Sequence, residues 1–403
     1  AARGRGVGDV LHQNPVHGRV ADGRTADPIE VDRRAVDPGG ADTAMATMMA
    51  RTMTPGAYGR RLAAAGIGLL ALLLMSPGIG TESASFGWWD AWRARWGARI
   101  APAELVGRPL VDLDGDGSIS DEELEGFVRV ASSIGFDQRF ARSLLAMQVG
   151  ITLALCGAAF QVLFRNPLAT PYTLGISSGG ALGALIAYRL GWSAVVAGVS
   201  AVAAASFGGA VLVVFLVVVI AWSGRRLTSN ELLLAGVTLG LFCSAMMLFV
   251  TAVSNERETF FIVRWMMGSL DPVRPVEGAT LLPMMLPAWI ALVLGARSLN
   301  QYRLGEELAA SRGLNVGGLQ AVCIAVCSLA TAAVVAHCGP IGFVGLVVPH
   351  LTALLVGTDC RIWLPTSALI GGAFLVICDW ASQLAMRGAG AIMGKELGSA
   401  TLP

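Results

Sequence analysis

The chain is short of charge. Of its 403 residues, only 14% are Asp, Glu, Lys or Arg, well below the roughly 25% of soluble globular proteins. Lysine is nearly absent, Lys395 standing alone among 29 basic residues. A net charge of +1 excludes a strongly basic surface and, with it, a nucleic-acid partner. A phosphate-binding loop is also missing. The nearest candidate, GAIMGKE at 390–396, is preceded by Ala389 where the first Gly of G-x-x-x-x-G-K-[ST] belongs, and Glu396 stands where Ser or Thr would hold magnesium. The chain therefore does not hydrolyse ATP itself and is not read as an enzyme. Cys323 and Cys327 share a helix face with no His or acid nearby, so both are read as core packing instead of a metal site.

What is present is apolar. Hydrophobic residues make up 54% of the chain and the mean hydropathy is +0.63. Residues 62–81, 143–164, 166–188, 190–224, 232–255 and 278–296 carry no charge, 313–358 is a longer run broken by Gly339 and Pro340, and 362–384 tolerates only Asp379. A spanning helix needs about 20 apolar residues. The runs predict nine spans: 62–80, 143–164, 172–188, 193–222, 231–252, 278–296, 318–337, 342–357 and 364–386. They are continuously apolar, whereas barrel strands alternate, so the expected fold is an all-α polytopic membrane protein.

Residues 1–59 are read as a disordered or mistranslated extension, because the first 44 lack a starting Met and show no apolar period. Residues 60–403 form the expected transmembrane domain. Arg60 and Arg61 place the N-terminus in the cytoplasm by the positive-inside rule. Alternation then puts Arg165, Arg225, Arg226, residues 297–312 and Arg361 inside. Arg189, Arg257, Arg264 and Arg274 fall outside, as does the long loop 81–142.

That outer loop contains DLDGDGSISDEE at 112–123. A calcium loop of twelve residues needs oxygens at positions 1, 3, 5, 7, 9 and 12 and Gly at 6. Asp112, Asp114, Asp116, the Ser118 carbonyl, Ser120 and Glu123 fill those positions, with Gly117 at the turn. The segment 103–137 therefore reads as an EF-hand-like extracytoplasmic insertion with a possible Ca²⁺ site, facing a compartment where calcium is abundant.

FRNPLATPYTLGISSGGALGA at 164–184 resembles a motif of the permease subunits of ABC importers for iron siderophores, haem and vitamin B12. ELLLAGVTLGLFCSAM (231–246), RWMMGSL (264–270), LGEELAASRGLNV (304–316) and GPIGFVGLVVPH (339–350) resemble that family's further motifs in the same order. The resemblance implies a ten-helix permease fold of the bacterial cytoplasmic (inner) membrane that dimerises in lipid. It further implies separate cytoplasmic ATPase subunits, an extracytoplasmic substrate-binding protein and no required cofactor. By the same resemblance, Gly305, Glu306, Ala309, Gly313 and Asn315 lie at the ATPase contact, on a short helix over 305–312 ended by Gly313. Arg139 and Arg142 would dock the binding protein, a task suited to Arg because its planar fork pairs with carboxylates.

The chain departs from the family pattern at Ala353, Cys360 and Gln383, with Arg387 a substitute for the last. A tenth helix is expected after residues 395–397, where the chain has only six residues more. His350 and Asp379, ionisable residues inside apolar runs, are read as internal hydrogen-bonding groups, and His337 as interfacial. Two competing classes remain open: a membrane-anchored calcium-responsive protein and an ion-coupled secondary transporter.

Overall fold

The structure, a computed structural model, describes residues 55–75, 121–192, 194–196, 199–221, 229–270 and 281–392. All of them fall within one compact unit, Met48–Pro403. The first helices are α1 (Pro55–Met75) and α2 (Asp121–Leu163), followed by a 3-10 turn, Pro171–Leu174, and α3 (Ile176–Arg189). A two-residue antiparallel ladder, Val195–Val196 with Val199–Ser200, leads into α4 (Ala201–Ala221). Next come α5 (Ser229–Ala252), α6 (Glu256–Met266), α7 (Leu282–Leu294), α8 (Ala296–Arg303) and α9 (Glu306–Ser311). The last three are α10 (Val316–Cys338), α11 (Val344–Val356) and α12 (Cys360–Ile392).

α2 is the spine. It packs along α10, α11 and α12, and 83% of its apolar stretch is buried. Between membrane helices the hydrophobic effect is weak, because lipid tails are as apolar as leucine, so tight association depends on close backbone approach at small residues. Two glycines of α2 provide it. A methyl at Gly150 would collide with the Gly371 carbonyl of α12, and one at Gly157 with the Gly345 carbonyl of α11. A second group forms from α3, α4 and α5, with Gly179 and Gly183 of α3 against Gly209 of α4. α10 joins the two groups. By contrast, only 28% of α4 and 22% of the α5 stretch is buried, leaving Phe215, Leu234, Leu241 and Leu248 exposed.

The expected nine spans are not all full-length helices. Among the described residues five helices are long and apolar enough to cross a membrane: α2, α4, α5, α10 and α12. A sixth is counted if α7 and α8, bent by 52° at Gly295, make one span. The expected span 172–188 is instead the 3-10 turn followed by α3, whose 14 residues rise only about 21 Å. The expected span 342–357 is α11, 13 residues, also short of the roughly 30 Å hydrocarbon core. An uncharged run reports the polarity of the surroundings and not the length of unbroken helix inside it. Two helices start within segments that the sequence reading set apart. α1 begins at Pro55, inside the expected extension, and α2 begins at Asp121 and runs unbroken from the expected insertion into the span.

The loops expected on the cytoplasmic side do meet at one end. Arg165 contacts Glu306, Arg303 donates to the Thr358 carbonyl, and Asn300 Nδ2 donates to Asp359 at 2.6 Å. On the expected outer side Arg189 pairs with Glu258 at 2.5 Å, and Tyr188 stacks on Phe261 with centroids 3.7 Å apart.

Candidate coupling and docking sites

α9 is a short helix made by its two flanking glycines. Gly305, at φ 122, is its N-cap residue and Gly313, at φ 83, follows its C-cap Arg312. Both conformations strain any residue with a Cβ. Asn315 then caps α10, its side-chain oxygen accepting from Gly318 N at 2.9 Å, one of the orphan donors at a helix start. The expected helix over 305–312 is thus present, one residue shorter at each end.

The five residues expected at the ATPase contact do not share one face. Ala309 is fully buried and points into the chain, where a methyl side chain permits close packing. Leu304, Glu307, Leu308, Ser311 and Arg312 are exposed instead, together with Gly313 and Asn315. Leu304 is 58% and Leu308 44% exposed, an apolar pair amid polar neighbours that presents a small ridge. Pattern matching missed this ridge because a motif reports which residues recur, without distinguishing those that face outward.

Glu306 is turned toward the protein. Its Oε1 accepts from Tyr302 Oη at 2.9 Å and lies 3.5 Å from Arg165 Nη2. Tyr302, itself fully buried, also accepts from Gln320 Nε2 at 3.0 Å and stands 3.2 Å from the Leu163 carbonyl. The reason for the last contact is local. Helix ends leave carbonyls without backbone partners, and Pro167, four residues past Leu163, has no N–H to offer. Arg165, at φ 49, turns the chain there and sets its guanidinium 5.1 Å over the Tyr302 ring. On the other flank of α8, Asn300 accepts from Cys360 N at 2.9 Å. Sequence reasoning named neither Tyr302 nor Gln320; a buried tyrosine at the end of an apolar run and a proline after α2 were the available signals.

At the opposite end of α2, Arg142 pairs with Asp379 of α12. Its Nε lies 3.0 Å from both carboxylate oxygens and its Nη2 2.7 Å from Oδ1. Gln383 Nε2 donates to Oδ2 at 2.7 Å. The Asp379 side chain is 3% exposed and that of Arg142 27%. Asp379 therefore makes the internal bond expected of it, and Arg142 makes a contact inside the chain that the docking expectation had not included. Gln383, at a departure from the family pattern, completes the carboxylate's shell. Arg139 lies three residues earlier on α2 and is half-buried. His350 is exposed, while His337 Nδ1 lies 3.0 Å from the Ala333 carbonyl.

Of the calcium loop, Asp112, Asp114, Asp116, Ser118 and Ser120 lie outside the described residues. Glu123 falls in the first turn of α2, its side chain likewise outside them. Among the described residues no group of His, Cys, Asp and Glu is arranged to hold a metal.

Comparison with known proteins places this geometry. The cobalamin import system permease protein BtuC of Halobacterium salinarum is 41% identical over 60% of this chain, which spans 64% of that protein's length. The ABC transporter permease protein YvrB of Bacillus subtilis is 38% identical over 62% of this chain and 71% of its own. The vitamin B12 import system permease protein BtuC of Escherichia coli is 34% identical over 62% and 76%. A solved structure described as an inward-facing metal-chelate type ABC transporter superposes with a TM-score of 0.63 at 25% identity, covering 81% of this chain and 90% of that one. Residues 110–394 match the FecCD transport family, and the chain belongs to that family.

Proposed function

We propose that this chain is the membrane-spanning subunit of an ABC importer that moves a metal chelate of the cobalamin, haem or iron-siderophore type across the cytoplasmic membrane of a bacterium. Separate ATPase subunits would drive it and an extracytoplasmic binding protein would feed it. The observation that carries this reading is α9: an exposed Leu304–Leu308 ridge at the end where the Arg-rich loops gather, braced from behind by Ala309 and Glu306. Such a ridge suits the groove of a cytoplasmic partner. The names of the relatives support import of a cobalamin-type chelate over other substrates.

Arg139 and Arg142 remain the proposed docking residues at the outer end. Arg142 would serve there with its Nε edge held by Asp379. The apolar sides left open on α4 and α5 suit lipid and a second permease copy. Reconstitution in nanodiscs with the cognate ATPase and binding protein tests the whole reading: ATP-dependent uptake of labelled cobalamin or a ferric siderophore is expected. Uptake that persists without ATP but collapses with the ion gradient would identify a secondary transporter instead.

The calcium site is a separate proposal. α2 starts at Asp121, the tenth position of the loop, as a helix leaving a calcium loop would. An unpaired extracellular loop is expected to bind at roughly 10⁻⁴ to 10⁻³ M. Titration calorimetry with Ca²⁺ should show a signal that Asp112→Asn and Glu123→Gln abolish, and binding-protein affinity should fall in chelator. Equal affinity with and without calcium would dismiss a docking role.

A further inference from the structure

Tyr302 sits where four segments meet: the end of α2, α8, α9 and α10. Its hydroxyl has one proton and two acceptors. Glu306 Oε1, on α9, is 2.9 Å away and the Leu163 carbonyl, on α2, is 3.2 Å away, while Gln320 of α10 donates to the oxygen at 3.0 Å. A hydroxyl can donate to only one acceptor at full strength, so the closer, charged Glu306 takes the larger share and the Leu163 carbonyl is the weaker second acceptor. Glu306 has a second partner in Arg165, 3.5 Å away, and Gln320 steadies the hydroxyl oxygen from α10. Through this one buried oxygen, α8 is tied at once to the end of α2, to α9 and to α10.

The element at the receiving end suits that use. α2 is a single helix of 43 residues, about 65 Å long, locked by close glycine contacts to α11 and α12 and ending beyond the Arg142–Asp379 pair. It can pass a displacement along its whole length without a break.

We infer that Tyr302 is a positioning residue whose hydroxyl, bridging Glu306 and the Leu163 carbonyl, ties the partner-contacting α9 to the end of α2 so that the two move together. This rests on the importer reading, with α9 as the ATPase contact. The test is Tyr302→Phe, which keeps the buried ring and its cation–π contact and removes only the hydroxyl. In the reconstituted importer, assembly with the ATPase and basal hydrolysis are expected to stay at wild-type levels. ATP hydrolysed per substrate moved should rise about tenfold, within the usual range of coupling between sites. Gln320→Met, which removes the bond that steadies the same oxygen, should show a smaller rise in the same direction.

Spin labels at the exposed positions Leu168 and Ser311 report the motion directly. Their separation should stay constant through the ATP cycle in the otherwise native chain and vary in Tyr302→Phe. Wild-type coupling in Tyr302→Phe would overturn the relay alone, as would a variant that fails to assemble, since Tyr302 would then be a packing residue. A native complex that moves no chelate would overturn the importer reading itself.

Discussion

The two ends of α2 are fastened differently. At the end expected to face outward one charged pair does the work: Asp379, nearly inaccessible, has both oxygens engaged by Arg142 and Gln383. At the inner end a neutral hydroxyl divides its bonds among Leu163, Glu306 and Gln320. A buried ion pair resists being opened, because each partner left alone keeps a charge that low-dielectric surroundings cannot solvate. A hydroxyl hub opens at a smaller cost, since a net hydrogen bond is worth about 1 kcal/mol, or about 1.5–3 kcal/mol to a charged group such as Glu306. The first end is therefore built to hold register and the second is the easier to adjust, as the proposed coupling to a cytoplasmic ATPase would require.

The stretch between the two fastenings gives the largest expected effect. Gly157→Leu would drive a side chain into the Gly345 backbone, at about 4 kcal/mol or more, and loss of folded protein in size-exclusion profiles is the expected outcome. Asp379→Asn comes next. It removes the carboxylate charge that faces Arg142 and should cost about 3 kcal/mol, read as a lower melting temperature in detergent. An unchanged melting temperature would mean that Arg142 finds solvent without penalty, and the contrast between the two ends would vanish.

Tyr302→Phe should lower stability by about 1–2 kcal/mol, less than Asp379→Asn. A larger loss at the inner end would reverse the order argued above. Asn315→Ala removes the cap on Gly318 N and should cost about 1 kcal/mol, with no effect on the outer pair. Smallest for stability is Leu308→Ala, an exposed position expected within about 0.5 kcal/mol of wild type. It should nevertheless weaken binding of the ATPase subunit, measured by pull-down or interferometry, and a variant that binds undiminished would remove the ridge from the proposed contact.

Legibility in the sequence varied with the kind of information. The long apolar runs announced α4, α5 and α10 because each is a helix whose surroundings are apolar over its whole length. They also announced α3 and α11, but not that these helices are short, since buried loops in a membrane domain are as apolar as helices when other helices cover them. Gly305, Gly313 and Asn315 were readable as a helix with caps because capping depends on neighbours in sequence. That Ala309 faces inward while Leu304 and Leu308 face outward was not readable, since one turn of helix has no periodicity to measure.

By itself, the sequence determined that the protein is an all-α membrane protein and the local shape of α9, both matters of polarity and of contacts a few residues apart. Only the tertiary structure decided that Arg142 meets Asp379, 237 positions away, and that Tyr302 closes the carbonyl Pro167 leaves open. Those pairings depend on which helices lie side by side, and in an apolar chain many helix arrangements bury similar area. The glycine contacts along α2 select among them, and the polar partners are fixed only once that packing is complete.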